Sequence, residues 1–208
     1  MNLFHGIISL IIISFSKASP FNECAFNDNF DAKKLSPDWV FRRVPQPNTY
    51  SLSARKGHLR LYLKPESFQP RKRYSAMGIT QKESEFEWEA KMKFNPKKNL
   101  EEAGISVYQK DINYVNLTVQ KIGKEHFVKV TVKEKNNLVT AMTDSAKIPN
   151  TEVKAFKSKA LPNYAGEILL KIASKNGKYL YFFSTDGGAS YEKLAETPDN
   201  IVLGMMYT

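Results

Sequence analysis

Disulfide bonds cannot hold this fold together, because the 208-residue chain contains a single cysteine, Cys24. A secreted protein with one thiol must depend on its hydrophobic core for stability. Cys24 is free either to form an interchain disulfide or to remain an unpaired, partly buried thiol. Histidine is also scarce: besides His5, the chain has only His58 and His126, which lack the spacing of a metal site. Glycine-rich phosphate loops and nucleophile elbows are absent as well.

Long hydrophobic runs are missing too, which excludes a membrane-spanning helix. The run from Ile7 to Phe15 is shorter than the roughly 20 apolar residues that such a helix needs. Small residues at Ser16 and Ala18 and then Pro20 follow this run, as they do in a secretory signal peptide. We predict a signal peptide at residues 1–18, one domain at residues 19–208, and a secreted, extracellular protein with no membrane span.

The chain is instead rich in alternating patterns, of which "KESEFEWEAKMKF" (Lys82–Phe94) is the clearest. Every second residue of a strand lies on the same face, so the apolar residues from Phe86 to Phe94 share one face. Four glutamates, Glu83, Glu85, Glu87 and Glu89, then share the other face. The pattern predicts a strand with one side packed against the core and one side exposed to solvent.

Similar alternation recurs along the chain, and no window has a convincing helical period. The predicted strands are Tyr50–Ser53, His58–Leu63, Ile79–Phe94, Gly104–Tyr108, Tyr114–Lys121, His126–Glu134, Leu138–Met142, Glu167–Ser174, Lys178–Ser184 and Ile201–Tyr207. So many one-sided strands indicate two sheets packed face to face. Two stretches, Pro65–Tyr74 and Asp144–Asn163, are predicted to be loops, the second long and mobile.

Several motifs together resemble a known domain. They are Phe30-Asp31, Leu35, Trp39, Phe41, Arg43, Pro45, Tyr50-Ser51-Leu52, Gly57, Leu59-Arg60-Leu61, Gln81, Phe86, Glu89, Phe94, Glu102-Ala103-Gly104, Tyr108, Asp111, Asn113-Tyr114, Phe182, Ser184, Asp186-Gly187 and Tyr191. As a set they resemble the concanavalin A-like C-terminal domain of family 43 glycoside hydrolases, the β-xylosidase group.

This resemblance implies an all-β, two-sheet antiparallel jelly-roll sandwich. In those xylosidases the sandwich accompanies a five-bladed propeller that carries the catalytic carboxylates, and these 208 residues leave no room for one. The resemblance therefore implies the accessory domain standing alone. The sequence departs from the family at Thr80, where arginine is common, and at its shortened end, "DNIVLGMMYT".

The glutamate row raises the question of catalysis. Carboxyl groups at alternate strand positions lie about 6.5–7 Å apart, a separation that glycosidases use. A catalytic acid needs an environment that raises its pKa, whereas four equivalent glutamates are typical of one solvated face. The sequence favours a protein that is not an enzyme, with a small glycoside hydrolase as the second alternative.

Sugar binding is the favoured function, because aromatic faces and planar polar groups are what sugars require. The candidate carbohydrate-binding residues are Trp39, Arg43, Gln81, Tyr108, Asp111, Asn113 and Tyr114. Core packing is the competing interpretation for Trp39. We therefore predict a secreted, lectin-like module that binds a glycan, either xylan-like or another plant or microbial polysaccharide.

Two further sites are predicted from short motifs. Asn116-Leu117-Thr118 is a glycosylation sequon, and a glycan on Asn116 requires this side chain to point outward. The oxygen donors of Asn27, Asp28, Asn29 and Asp31 could hold a structural calcium ion, although they are not a full ligand set. No other cofactor is predicted.

A formal net charge of +10 supports the first alternative, a module that binds proteins or anionic surfaces without a sugar site. The basic clusters are Lys33-Lys34, Arg42-Arg43, Arg71-Lys72-Arg73 and Lys97-Lys98. Outside the cell they would meet sulfated or uronic-acid glycans or an anionic surface, and the secretory signal disfavours nucleic acid.

Overall fold

Strands make up the regular structure of the computed structural model, which describes residues 8–10, 26–41, 44–65, 75–110, 113–133 and 154–199. They are β1 (Ile8–Leu10), β2 (Tyr50–Ser51), β3 (Arg60–Leu61), β4 (Phe86–Lys93), β5 (Glu102–Lys110), β6 (Asn113–Ile122), β7 (Glu125–Lys133), β8 (Lys154–Ala160), β9 (Glu167–Lys175), β10 (Lys178–Ser184) and β11 (Glu192–Pro198). Within these ranges, no helix has the length and apolar character needed to cross a bilayer.

The strands form two main sheets and a small ribbon. The five-stranded sheet has the order β1-β5-β6-β7-β8, the four-stranded sheet has the order β11-β10-β9-β4, and β2 pairs with β3. All neighbouring strands are antiparallel except β1 and β5. The all-β prediction of an antiparallel jelly-roll sandwich is confirmed.

The alternation of β4 is confirmed and supplies one wall of the core. Ala90 and Met92 are fully buried, and Trp88 packs against the core beside them. Cross-strand pairing places Trp88 opposite Ile172 and Ala90 opposite Leu170 on the same face of the sheet. Apolar side chains from β6 and β7 complete the core, where their burial is the main stabilising force.

Strand β6 differs from β4 because both of its faces are buried. Val115, Leu117 and Val119 belong to the hydrophobic core. The alternate residues of β6, among them Asn116 and Thr118, are almost completely buried as well. The sequence predicts an outward-facing Asn116, and the structure shows a strand that has no solvent-exposed side along most of its length.

The structure corrects the predicted loop at Asp144–Asn163, because Lys154–Ala160 forms β8 along the edge of β7. Lysines on an edge strand prevent it from pairing with strands of other chains. The same lysines interrupt the alternation of apolar and polar residues, so the sequence pattern does not predict this strand. Strand β11 at Glu192–Pro198 is a second strand that the alternation does not predict. The predicted strands Leu138–Met142 and Ile201–Tyr207, the basic cluster at Arg71–Arg73 and Cys24 lie outside the described residues.

Strand β1 lies inside the predicted signal peptide. Its residues Ile8, Ser9 and Leu10 run parallel to Glu102, Ala103 and Gly104 of β5. Cleavage after Ala18 would remove this pairing and leave β5 with an open edge in the mature chain. The predicted division at residue 18 stays a prediction.

Candidate functional site

An open cleft of about 570 Å³ lies beside the β2–β3 ribbon. Its lining consists of cationic, hydroxylic, aromatic and aliphatic side chains from two segments: Lys33, Lys34, Leu35, Trp39, Phe41, Tyr50, Ser51, Leu52 and Ser53. Phe41 and Tyr50 are half-exposed, and their rings stack with centroids 5.3 Å apart and an interplanar angle of 28°. We call these nine residues the aromatic cleft.

Turns and short pairings hold the two walls of the aromatic cleft together. The Trp39 amide donates to the Ser36 carbonyl at 3.1 Å, and Val40 forms an isolated antiparallel bridge with Gly78. On the other wall, Tyr50 pairs with Leu61 across the ribbon. Backbone hydrogen bonds therefore hold the segments that carry Phe41 and Tyr50. Because these segments are already ordered, less conformational entropy is lost when a ligand binds.

Trp39 forms the floor of the aromatic cleft and belongs to the core. Only 6% of the residue is exposed, and its ring contacts Phe26, Phe30 and Trp88. The indole Nε1 donates to Asp28 Oδ2 at 2.7 Å. The side chain predicted as a sugar platform is therefore chiefly a packing residue, and the exposed ring faces belong to its neighbours Phe41 and Tyr50.

Two members of the predicted calcium motif, Asp28 and Asn29, have side-chain oxygens that already accept hydrogen bonds. Asp28 Oδ1 accepts from the Phe30 amide at 2.8 Å while its Oδ2 accepts from Trp39, and Asn29 Oδ1 accepts from the Asp31 amide at 3.3 Å. These bonds fix a tight bend at Phe30, which has a positive φ of 57°. Throughout the described ranges, no three His, Cys, Asp or Glu residues lie close enough to hold a metal ion.

The structure brings two other candidates, Tyr108 and Tyr114, together on neighbouring strands. They are cross-strand partners whose rings stack at 6.3 Å with an interplanar angle of 18°. Tyr114 is buried and Tyr108 is half-buried. Asn113 lies next to them in sequence but shares the opposite face of β6 with Val115. Its side-chain amide is fully buried, and neither amide atom has a hydrogen-bond partner among the described residues.

The remaining candidates are not gathered at this pair. Gln81 is exposed in the segment before β4, where its Nε2 donates to the Glu83 carbonyl at 2.8 Å. Arg43 and Asp111 lie outside the described residues. The five described candidates therefore do not form one site, and Trp39 is the one among them that lines the aromatic cleft.

The burial of Asn116 bears directly on the predicted glycosylation. Only 1% of this residue is exposed, and it faces Ser106 on β5 and Thr131 on β7. Asn116 lies on the face of β6 opposite the core residues Val115, Leu117 and Val119, as predicted, but this face is buried as well. An N-linked glycan needs an exposed amide, so this burial is unfavourable for glycosylation of the folded protein, which stays a prediction. Within the described ranges, the buried side-chain oxygens Asn116 Oδ1 and Thr131 Oγ1 have no hydrogen-bond partner.

A buried ionic network lies further along the same face of the five-stranded sheet. Glu102 accepts hydrogen bonds from Thr118 Oγ1 at 2.6 Å and from Gln120 Nε2 at 3.0 Å. Lys129 Nζ completes the network, 2.9 Å from both Glu102 Oε2 and Gln120 Oε1. Every charge in this network has a partner, and its burial leaves no opening for a ligand.

The glutamate row on β4 lies on the outer face of the four-stranded sheet. Glu85 accepts from the Asn176 amide at 3.0 Å, Glu87 lies 3.7 Å from Lys171 Nζ, and Glu89 accepts from the Tyr191 hydroxyl at 2.6 Å. Burial, together with the bond to Glu89, raises the pKa of Tyr191 well above its ordinary value. The three glutamates have different partners: Glu87 contacts a lysine of the neighbouring strand β9, whereas Glu85 and Glu89 contact residues outside the strands.

The geometry of the sandwich agrees with its similarity to known proteins. Residues 27–208 match the model of a family described as the Beta xylosidase C-terminal Concanavalin A-like domain. Two solved structures share the fold. One is described as Bacteroides ovatus Xyloglucan PUL GH43B (TM-score 0.72, 24% identity, 89% of this chain and 33% of that chain). The other is the GH43 BlXynB protein from Bacillus licheniformis (TM-score 0.71, 23% identity, 85% and 31%).

Two curated proteins are also similar in sequence. A non-reducing end alpha-L-arabinofuranosidase of Bacteroides ovatus is 27% identical over 154 residues, which make up 74% of this chain and 26% of that protein. A xylosidase/arabinosidase of Butyrivibrio fibrisolvens is 39% identical over 72 residues, or 35% of this chain and 14% of that protein. The matches thus span about a quarter or less of these relatives. On the match over residues 27–208, this chain belongs to the family of β-xylosidase C-terminal concanavalin A-like domains.

Proposed function

We propose that this protein is a secreted, non-catalytic glycan-binding module whose ligand lies in the aromatic cleft. The observation that carries the proposal is the stacked pair Phe41–Tyr50, half-exposed in an open cleft of about 570 Å³. Pyranose rings present a face of C–H groups, and such faces pack against aromatic rings with little loss of side-chain entropy. The cleft is therefore suited to a sugar ring in chemistry and in size.

Polar groups beside the rings are suited to sugar hydroxyls. Among the described residues, the Tyr50 hydroxyl has no hydrogen-bond partner, so it is available to donate or accept. Ser51 and Ser53 line the same cleft, and their hydroxyl oxygens lie 3.3 Å apart. A sugar bound over the rings would meet donors and acceptors at its edge.

The proposed ligand class is a xylan-like or related plant or microbial polysaccharide. The curated relatives carry the names xylosidase, arabinosidase and arabinofuranosidase, which describe enzymes that act on such sugars. We propose a non-catalytic role because Glu85, just before β4, and Glu87 and Glu89 on β4 lie on an outward face instead of in a cleft. Release of reducing sugar from xylan, abolished by Glu85→Gln, would contradict this part of the proposal.

A glycan array with the mature protein tests the proposal. We expect hits among xylan-type oligosaccharides, and we expect Tyr50→Leu and Phe41→Leu to remove them, because leucine retains apolar volume without a flat ring. Tyr62→Leu is the matched control, since Tyr62 is an exposed tyrosine outside the cleft. An array without hits, or hits that survive both cleft substitutions, would overturn the proposal.

Secretion is tested separately from binding. When the full chain is expressed with its own leader in a secretory host, mass spectrometry of the mature protein should show an N-terminus at Ser19. Retention of residues 1–18 in the released protein would contradict the predicted signal peptide.

A second function, binding to a protein, is favoured by a group of exposed apolar side chains near the cleft. Val44 is 83% exposed, and Val40, Tyr62 and Leu63 are exposed as well. These side chains come from two segments, and groups of exposed apolar side chains are typical of interaction surfaces. Capture of a protein partner that Val44→Ser weakens, with Tyr50→Leu having no effect, would support this function over glycan binding.

A further inference from the structure

The aromatic cleft is cationic, which identifies the kind of sugar it would hold. Lys33 and Lys34 line the cleft, both side chains are exposed, and no acidic residue is among the lining residues. In the described part of the chain, neither lysine has an ion-pair partner. The cleft therefore has two positive charges that nothing described there balances.

Three carboxylates lie near the cleft in sequence, and two of them accept hydrogen bonds from other residues. Asp28 accepts from the Trp39 indole, and Asp38 accepts from the Ser36 hydroxyl at 2.9 Å. The carboxylate of Asp31 lies beside Gly57, where Oδ1 would be 3.4 Å from an added Cβ. None of these three carboxylates forms a described ion pair with Lys33 or Lys34, so the two ammonium groups are available to a ligand.

Several lysines on the two sheets have an acidic partner. They contact a glutamate in the pairs Lys93–Glu167, Lys159–Glu192, Lys171–Glu87 and Lys178–Glu196. An adjacent pair of lysines without acidic partners beside exposed aromatic rings is a different environment. It combines attraction for an anion with a surface for a flat, apolar face.

We infer that the aromatic cleft binds an acidic sugar, a pyranose ring that carries a carboxylate, and this inference rests on the proposed glycan-binding function. The ring of a uronic acid residue packs on Phe41 and Tyr50, while its carboxylate lies toward Lys33 and Lys34. Lysine ammonium groups are compact donors that suit a single carboxylate at an exposed site. The aromatic rings distinguish this ligand from a lipid headgroup, which offers charge but no flat C–H face.

The experiment compares two glycans of equal length, an oligogalacturonate and a neutral xylo-oligosaccharide, by calorimetric titration at low and at physiological salt. We expect the wild-type protein to bind the acidic glycan more tightly, with a preference that declines as salt rises. The double variant Lys33→Gln/Lys34→Gln should weaken acidic-glycan binding about two- to ten-fold, as expected for exposed ion pairs, and should weaken neutral-glycan binding by a smaller factor.

The matched control is Lys97→Gln/Lys98→Gln, which removes the same charge from another exposed lysine pair outside the cleft. Equal loss in both double variants would overturn the inference, because net charge alone would explain it. Equal affinity of the wild type for the two glycans would overturn the inference and leave glycan binding intact. Binding of neither glycan would overturn the proposed function as well.

Anionic membranes are tested in the same series with vesicles of phosphatidylcholine and phosphatidylserine. Vesicle binding that depends on Lys33 and Lys34 but is unaffected by Tyr50→Leu, in the absence of acidic-glycan binding, would overturn the inference in favour of a charged surface. Acidic-glycan binding that requires both the lysines and Tyr50 would support it.

Discussion

Glu102 and Lys129 form an ion pair between side chains that are only 5% and 4% exposed, with Lys129 Nζ 2.9 Å from Glu102 Oε2. They lie on the face of the five-stranded sheet that is directed away from the hydrophobic core, and Gln120 bridges them on β6. Removing two charges from water is costly, and the hydrogen bonds of the network offset that cost. The network links the three neighbouring strands β5, β6 and β7 through Glu102, Gln120 and Lys129.

Breaking this pair on one side should destabilise the protein strongly. Lys129→Met leaves the Glu102 carboxylate buried without its cation, and we expect the free energy of unfolding to fall by about 3–5 kcal/mol. The double variant Glu102→Gln/Lys129→Met should recover much of that loss, because no uncompensated charge remains. Urea denaturation, monitored by circular dichroism, measures the free energy of unfolding of the wild type and of both variants.

The exposed pair Lys159–Glu192 is the matched control for the buried one. Each side chain is 49% exposed, so Lys159→Met should cost at most about 1 kcal/mol. Similar losses at Lys129 and Lys159 would show that the network on β5–β7 is not buried in solution.

Trp39 should be important for stability through its hydrogen bond as well as through its ring. Trp39→Phe retains much of the packing but leaves Asp28 Oδ2 without the indole donor. We expect the free energy of unfolding to fall by about 1–3 kcal/mol, measured by thermal and urea denaturation. The control is Tyr62→Phe at an exposed ring, for which a change within about 0.5 kcal/mol is expected. An unchanged stability of Trp39→Phe would contradict the buried position of the indole.

Gly104 is required because β5 and β6 approach each other closely at this position. A Cβ on residue 104 would lie 2.1 Å from the Leu117 carbonyl oxygen and 2.6 Å from the Thr118 Cα, and backbone atoms cannot move aside cheaply. Gly104→Ala should therefore lower the free energy of unfolding by about 1–3 kcal/mol or more. Gly78→Ala is the control, since its Cβ would meet nothing within 4 Å. Equal effects at the two glycines would refute the close approach.

Two buried tyrosines on β10 should respond differently to removal of the hydroxyl group. Tyr181 bonds to Thr197 Oγ1 at 2.7 Å, whereas the buried Tyr179 hydroxyl has no partner within the described ranges. Tyr181→Phe should cost about 1–3 kcal/mol, and Tyr179→Phe should be neutral or slightly stabilising. The opposite ranking in urea denaturation would contradict this hydrogen-bond assignment.

Alkaline pH should destabilise the folded state through the same residues. Burial raises the pKa of Tyr179 to about 12 and also raises the pKa of Tyr164 and Tyr181. A raised pKa means that the folded state favours the protonated phenol. This contribution to stability is complete below the ordinary pKa of about 10 and is lost as pH rises toward the folded value. Ultraviolet titration of the phenolate should show a group of tyrosines that ionise only above the ordinary pKa of about 10, together with unfolding. Ionisation of all tyrosines near pH 10 in the folded protein would contradict these raised pKa values.

Alternation of apolar and polar residues predicts a strand correctly where one face of the strand is buried and the other is exposed to solvent. The stretch from Phe86 to Phe94 has that property, and its structure agrees with the pattern. Lys154–Ala160 does not, because an edge strand carrying lysines lacks a clear apolar period. The burial of Asn116 is also inaccessible to local reasoning, since a polar residue on an alternating strand is ordinarily placed in water.

The candidate site was only partly predictable for a related reason. Trp39 is a reasonable sugar platform from its residue type, but whether its ring is exposed depends on Phe30 and Trp88, which come from different parts of the chain. The cleft itself depends on Phe41 meeting Tyr50 across a turn, and composition does not reveal that contact. The sequence identified Lys33-Lys34 as a basic pair, and the structure adds its position beside those rings.

The position of the bound glycan tests the central claim most directly. In an amide NMR titration with the best-binding oligosaccharide, the largest shift changes should fall on the residues that line the cleft, at positions 33–35, 39, 41 and 50–53. Shift changes confined to β4, or to the face of the five-stranded sheet that carries Glu102 and Lys129, would contradict a binding site at Phe41 and Tyr50.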